Sequence, residues 1–144
     1  MKSIGSIALA AALLTLLPVA AADVQAGVRT AAAPGGVTVI HFAPGATSAT
    51  VAGRVRGYAM ARYRLRVRAG QNLVVTLHTP HPSLSFNVVT PSGQMDFEGS
   101  MTDANRAVMD LRESGDYVIQ VYFMRNEARR GAAANYRLTV EVTD

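Results

Sequence analysis

From residue 37 onward the chain alternates apolar and polar residues with a period of two, the side-chain spacing of a half-buried β-strand. The clearest stretch is Ala61 to Arg68, where Tyr63, Leu65 and Val67 alternate with Arg62, Arg64, Arg66 and Arg68. The same period carries Leu73, Val75 and Leu77 within 72–78. It recurs as Tyr117, Ile119, Val121 and Phe123 within 116–123, and as Tyr136, Leu138, Val140 and Val142 within 136–142. Shorter runs predict strands over 37–42, 50–56, 85–90 and 107–111. Between them lie Pro44-Gly45, Gly57, Ala69-Gly70-Gln71, Thr79-Pro80-His81-Pro82, Pro91-Ser92-Gly93 and Ser114-Gly115. Proline lacks the N–H a ladder needs and glycine reaches turn conformations, so these segments end strands. Residues 94–105 are weakly patterned and predict turns with one short strand; 125–134 tolerates a helical turn inside a long loop. Seven or eight short antiparallel strands separated by Gly/Pro turns predict an all-β fold. The expected architecture is a single β-sandwich over 37–144, jelly-roll or Greek-key-like.

The segment before residue 37 has a different character. Lys2 precedes an uncharged apolar run from Ile4 to Leu17, then Pro18 and Ala20-Ala21-Ala22. This is the order of a secretory signal, with cleavage expected after Ala22. The apolar run is shorter than the roughly 20 residues a membrane-spanning helix needs. Residues 1–22 therefore read as a signal peptide, 23–36 as a flexible Ala/Gly/Pro-rich arm, and the mature chain as periplasmic or secreted. The sequence has no cysteine, which rules out a lipobox anchor and disulfide staples. Burial and sheet pairing alone must hold the domain.

Charge then separates two halves. Residues 24–95 contain seven Arg (29, 54, 56, 62, 64, 66, 68) and no Asp or Glu; residues 96–144 contain six Arg and nine acids. Lys2 is the only lysine, so every mature cation besides histidine is a guanidinium. Such asymmetry suggests an anionic partner or surface for one part of the molecule.

A search for catalytic chemistry finds no support. There is no G-x-S-x-G elbow for a nucleophilic serine, no Walker loop and no dinucleotide fingerprint. His78-Thr79-Pro80-His81 has an H-x-x-H spacing, but its prolines make it a strand-to-loop corner with no evident third ligand. No catalytic residue, metal site or cofactor is expected. Nucleic acid is disfavoured as a partner, because an exported chain lies away from the genome and no recognition motif is present.

Two arginine clusters remain. Arg62, Arg64, Arg66 and Arg68 would project from one strand face about 6–7 Å apart, a spacing suited to phosphates or acidic glycans. The ordinary alternative is the solvated face of a half-buried strand, paired across the sheet with acids from the second half. The other cluster is Arg125-Asn126-Glu127-Ala128-Arg129-Arg130. In a helical turn Arg125 and Arg129, spaced i, i+4, project from one side and form a clamp for carboxylates. A loop whose arginines merely solvate it is the plain alternative.

The stretch His41-Phe42, Pro44-Gly45, Ser48-Ala49, Gly53, Val55, Gly57-Tyr58, Tyr63 and Gly70-Gln71 resembles the front half of the periplasmic inhibitors of goose-type (g-type) lysozyme. The stretch Ser114-Gly115-Asp116-Tyr117, Val121, Arg125-Asn126-Glu127-Ala128-Arg129 and Tyr136 resembles their back half, with a poorly matching middle from 79 to 105. The resemblance implies a non-enzymatic β-sandwich whose protein partner is a g-type lysozyme and which blocks the muramidase cleft with protruding residues. Position by position it places the family's contact tyrosine on Tyr58 and its contact arginines on Arg125 and Arg129, with Asn126 in the same motif. Bacterial pre-peptidase C-terminal domains share similar turns and strands. The competing expectation is therefore an envelope module of that kind, holding anionic glycan or protein through Arg62, Arg64, Arg66 and Arg68.

Overall fold

A computed structural model of the chain describes residues 36–99 and 105–144. The expected signal peptide (1–22) and arm (23–36) lie outside the described residues, save Gly36. The strands are β1 (Val37–Val39), β2 (Ser48–Arg56), β3 (Ala61–Val67), β4 (Asn72–His78), β5 (Leu84–Val89), β6 (Met95–Glu98), β7 (Arg106–Asp110), β8 (Gly115–Phe123) and β9 (Ala133–Thr143), with one helix, α1 (Arg125–Arg129), between β8 and β9. One sheet runs β1-β3-β8-β5-β6 and the other β2-β9-β4-β7.

The period-two pattern explains why the sheets pack. Along β3 the apolar set Ala61, Tyr63, Leu65 and Val67 is buried, while Arg64 and Arg66 are exposed. The inner faces of both sheets interdigitate in one core that includes Leu65, Phe86, Tyr117 and Ile119 from the first sheet and Leu73, Val75 and Leu138 from the second. At its middle the Tyr63 and Tyr136 hydroxyls hydrogen-bond across the sandwich, with the rings edge to face at 6.4 Å. Gly53 is paired with Tyr136 across β2–β9, and a Cβ there would strike the Tyr136 hydroxyl and ring. This small residue is what lets the large one lie flat against its neighbour strand.

The sandwich is as expected, but two details of the expected seven or eight antiparallel strands are corrected. Nine strands are described, because the short strand expected within 94–105 forms as the edge strand β6 beside the other eight. β1 also pairs parallel with β3. The chain leaves β1, crosses to the opposite sheet as β2, and returns as β3 beside β1, so the two run the same way. The strand expected over 37–42 accordingly stops at Val39, and Ile40 turns into the core. Among the described residues no helix is long and apolar enough to cross a membrane.

Candidate functional site

Two connectors cross between the sheets at the same end of the sandwich. The β2–β3 turn leaves β2 after Arg56, which pairs with Ala133 at the start of β9. It enters β3 at Ala61, which pairs with Val121 near the end of β8. The β8–β9 connector, which contains α1, spans the same two points in the opposite direction. Sheet register alone therefore brings Tyr58 on the first connector to the end that carries Arg125, Asn126 and Arg129 on the second.

Local chemistry then locks the connectors together. Gly57 adopts φ +57°, and the Ala59 N–H donates to the Arg56 carbonyl at 3.1 Å to close a tight turn. Positive φ at that position is a conformation glycine takes without steric cost. α1 ends at Gly131, φ +71°. The Ala132 N–H donates to the Glu127 carbonyl (3.1 Å) and the Gly131 N–H to that of Ala128 (3.0 Å), the paired bonds of a Schellman ending. That ending presents the Ala132 carbonyl to the Gly57 N–H, which donates to it at 2.8 Å. Ala128 is buried beneath the helix, so the turn is anchored as well as capped.

What protrudes is one aromatic and two cations. Tyr58 is 72% exposed, the most exposed large hydrophobic residue described. Arg125, Asn126 and Arg129 are also exposed. The only acid in the segment, Glu127, is engaged elsewhere. Its carboxylate accepts from Arg130 Nη1 at 3.1 Å and lies 4.0 Å from His81 Nε2. His81 is fixed in turn: its ring stands edge-on to Phe123 at 4.9 Å, and its Nδ1 accepts the Ser83 N–H at 3.2 Å. Among the described residues, then, Arg125 and Arg129 have no acid partner. Beside Arg125 a recess of about 280 Å³ opens between Met60, Met124, Tyr122, Asn87 and Glu98.

The stripe on β3 is arranged differently. Arg66 Nε pairs with Asp116 Oδ1 at 3.1 Å, across the β3–β8 ladder. Arg68, one residue past the strand, lies 3.7 Å from Asp144. Arg62 and Arg64 stand opposite Gln120 and Val118 and form no ion pair among the described residues. Among the described residues the four arginines thus divide into a pair that faces acids, Arg66 and Arg68, and a pair that does not, Arg62 and Arg64.

The sequence reading missed the supporting residues. Gly131 was legible as a helix-ending glycine after a basic last turn. The Glu127–Arg130–His81 cluster was not, because His81 reaches Glu127 only through the packing of the β4–β5 loop. His78 and His81 part company: His78 lies exposed at the end of β4, and His81 packs under α1. Among the described residues no group of three His, Cys, Asp or Glu could hold a metal ion.

The class of fold is a two-sheet β-sandwich, with Tyr58, Arg125 and Arg129 exposed on inter-sheet connectors at one end. No protein-family model and no curated protein sequence matches the chain, but solved structures do. The Aeromonas hydrophila PliG, a periplasmic inhibitor of g-type lysozyme, shares 30% identity at a TM-score of 0.64, over 80% of this chain and 99% of that one. The Salmonella Typhimurium PliG shares 23% at 0.60, over 76% and 99%. The pre-peptidase C-terminal domain of a Bacillus anthracis collagenase shares 15% at 0.55, over 76% and 98%, a likeness of fold. The chain belongs to the family of periplasmic g-type lysozyme inhibitors.

Proposed function

We propose that the protein is a non-catalytic periplasmic or secreted inhibitor of a g-type lysozyme. In this reading it acts by placing Tyr58, Arg125 and Arg129 in the enzyme's active-site cleft, with Asn126 adding a polar contact at the rim. The observation that carries this reading is the hydrogen-bonded pair of connectors, which presents at one end of the sandwich an exposed tyrosine and two arginines that have no acid partner among the described residues.

A muramidase cleft is shaped for a polysaccharide and holds a catalytic carboxylic acid. Guanidiniums match carboxylates in geometry as well as charge, and each such bond contributes about 1.5–3 kcal/mol when shielded from water. Tyr58 offers a flat amphipathic ring suited to a sugar subsite. The Gly57–Ala132 bond and the Schellman ending hold these groups before the partner arrives, which lowers the ordering cost of association. Net charge contributes no steering: the residues after the expected cleavage site carry 13 Arg against 10 acids, a balance of +3, and the attraction must be local.

The alternative, an envelope module that holds anionic glycan on the β3 stripe, has less support, since Arg66 and Arg68 already face acids. A titration of a purified g-type lysozyme with the protein tests the proposal. Near-stoichiometric loss of muramidase activity at micromolar protein is expected. Absence of inhibition overturns the function, and full inhibition by Arg125→Ala/Arg129→Ala overturns the mechanism.

A further inference from the structure

A third group of cations lies outside both clusters, on the outer face of the β2–β9–β4 sheet. There an open trough of about 1000 Å³ is floored by the outward side chains of three neighbouring strands. Its central row is Ala52, Arg137 and His78, paired in register across β2–β9 and β9–β4. The next row toward the connectors places Arg54 opposite Asn135, and the next in the other direction places Thr50 opposite Thr139.

Two features separate this face from an ordinary solvated one. The first is charge without compensation. No Asp or Glu lines the trough. Glu141, the nearest acid along β9, is four residues from Arg137, about 13 Å at the rise of a strand. Arg54 donates only to the neutral Asn135 Oδ1, at 3.3 Å, and neither Arg137 nor His78 has an ion pair among the described residues. Arg137 and His78 are directly opposite each other across β9–β4, which sets a guanidinium beside an imidazole N–H donor on one exposed face. On the β3 stripe the fold supplied acids to Arg66 and Arg68; in the trough it supplied none.

The second is the character of the floor. Thr50 and Thr139 hydroxyls meet at 3.1 Å, and Ala52 leaves the middle of the trough low. Tyr136, the tyrosine lining the trough, is buried with its hydroxyl turned to Tyr63, so among the described residues the His78 imidazole is the one aromatic face there and no row of aromatics offers successive bases a stack. Nor is there an apolar anchor of the kind that centres a protein interface. Hydroxyls, an amide and separated cations in an extended trough suit a chain that carries hydroxyls and carboxylates together.

We propose that this face binds an acidic polysaccharide strand, with carboxylates at Arg54, Arg137 and His78 and hydroxyls at Thr50, Thr139 and Asn135. The site is separate from the inhibitory protrusion and does not depend on it.

Binding of the purified protein to a fluorescently labelled galacturonic-acid oligomer tests the site, with a neutral chito-oligosaccharide, a single-stranded DNA oligomer and poly-glutamate as parallel probes. The expected result is saturable binding of the galacturonate oligomer in preference to all three, weakening as salt rises. Arg54→Gln/Arg137→Gln should lose about tenfold or more in affinity, as removal of two charge-assisted contacts requires, while Arg62→Gln/Arg64→Gln keeps wild-type affinity. The proposal is overturned if the galacturonate oligomer does not bind or the neutral oligomer binds equally well. It is equally overturned if DNA or poly-glutamate binds more tightly, or if the Arg62/Arg64 variant is the one that loses binding.

Discussion

The β3 stripe and the α1 loop carry the same chemical group, and the fold brings acids to them by different routes. On β3 the guanidiniums stand on the outer face of a sheet, where ladder register sets their neighbours, and Asp116 falls opposite Arg66. On the α1 loop the local acid, Glu127, is drawn to Arg130 and His81, which leaves Arg125 and Arg129 facing solvent. The stripe looks the stronger cationic feature along the chain, with four arginines in seven residues. Once partners are counted that excess disappears: among the described residues each cluster keeps two arginines without an acid partner, Arg62 and Arg64 on the stripe and Arg125 and Arg129 on the loop. A cation's capacity to bind is decided by the acid nearest in space, which sequence order does not show.

The comparison can be tested at several strengths. The largest effect is expected from Arg125→Ala/Arg129→Ala, which removes two charge-assisted contacts and should weaken lysozyme inhibition by about 100-fold or more, whereas Arg62→Ala/Arg64→Ala should leave it unchanged in the same muramidase assay. Tyr58→Ala should cost about 30-fold, the scale of a tyrosine hot spot, with no loss of thermal stability, since the ring is exposed.

Below these come effects on the scaffold. Gly131→Val forces a β-branched residue into a left-handed backbone at the end of α1 and should destabilise by about 1–3 kcal/mol. It should also weaken inhibition while the contact residues stay intact, as denaturant unfolding and the activity assay would show together. Under the stripe, the Tyr63–Tyr136 pair makes stability alkali-sensitive. Burial pushes both hydroxyl pKa values above the ordinary 10.0; the shared hydrogen bond works against this rise at Tyr63 and with it at Tyr136. Because the folded state holds its protons longer, this contribution is complete below pH 10 and is lost as pH rises above it. The fall in melting temperature above pH 10 should be shallower in Tyr63→Phe/Tyr136→Phe. The smallest effect is Asp116→Asn, expected to shift stability by no more than about 1 kcal/mol, because its pair with Arg66 is exposed.

Much of the fold was legible because half-buried strands announce themselves: β3, β4, β8 and β9 were visible in their apolar alternation. The edge strands were legible in place but not in extent: strands were expected over 37–42 and within 94–105, and the structure forms them only at Val37–Val39 and Met95–Glu98. The protrusion was half legible. Gly57 before Tyr58 marks a turn that exposes the tyrosine, and the i, i+4 spacing pairs Arg125 with Arg129. What joins them, the Gly57–Ala132 hydrogen bond, depends on the register Arg56↔Ala133, set between segments far apart in the chain. The trough of Arg54, Arg137 and His78 was hidden for the same reason, since its three strands are neighbours only in space. The acids that quiet Arg66 and Arg68, Asp116 and Asp144, also arrive from the other end of the sequence.

The central claim is that the α1 arginines meet the catalytic carboxyl group of a lysozyme. A double-mutant cycle reads this contact directly: dissociation constants for wild type and for Arg125→Ala/Arg129→Ala, each against the native enzyme and against the enzyme with its catalytic carboxylic acid replaced by the amide. The account predicts that the amide weakens wild-type binding by about tenfold or more but barely affects the arginine variant, a coupling of at least about 1.5 kcal/mol. Additive losses, with the amide equally costly to both proteins, would contradict it.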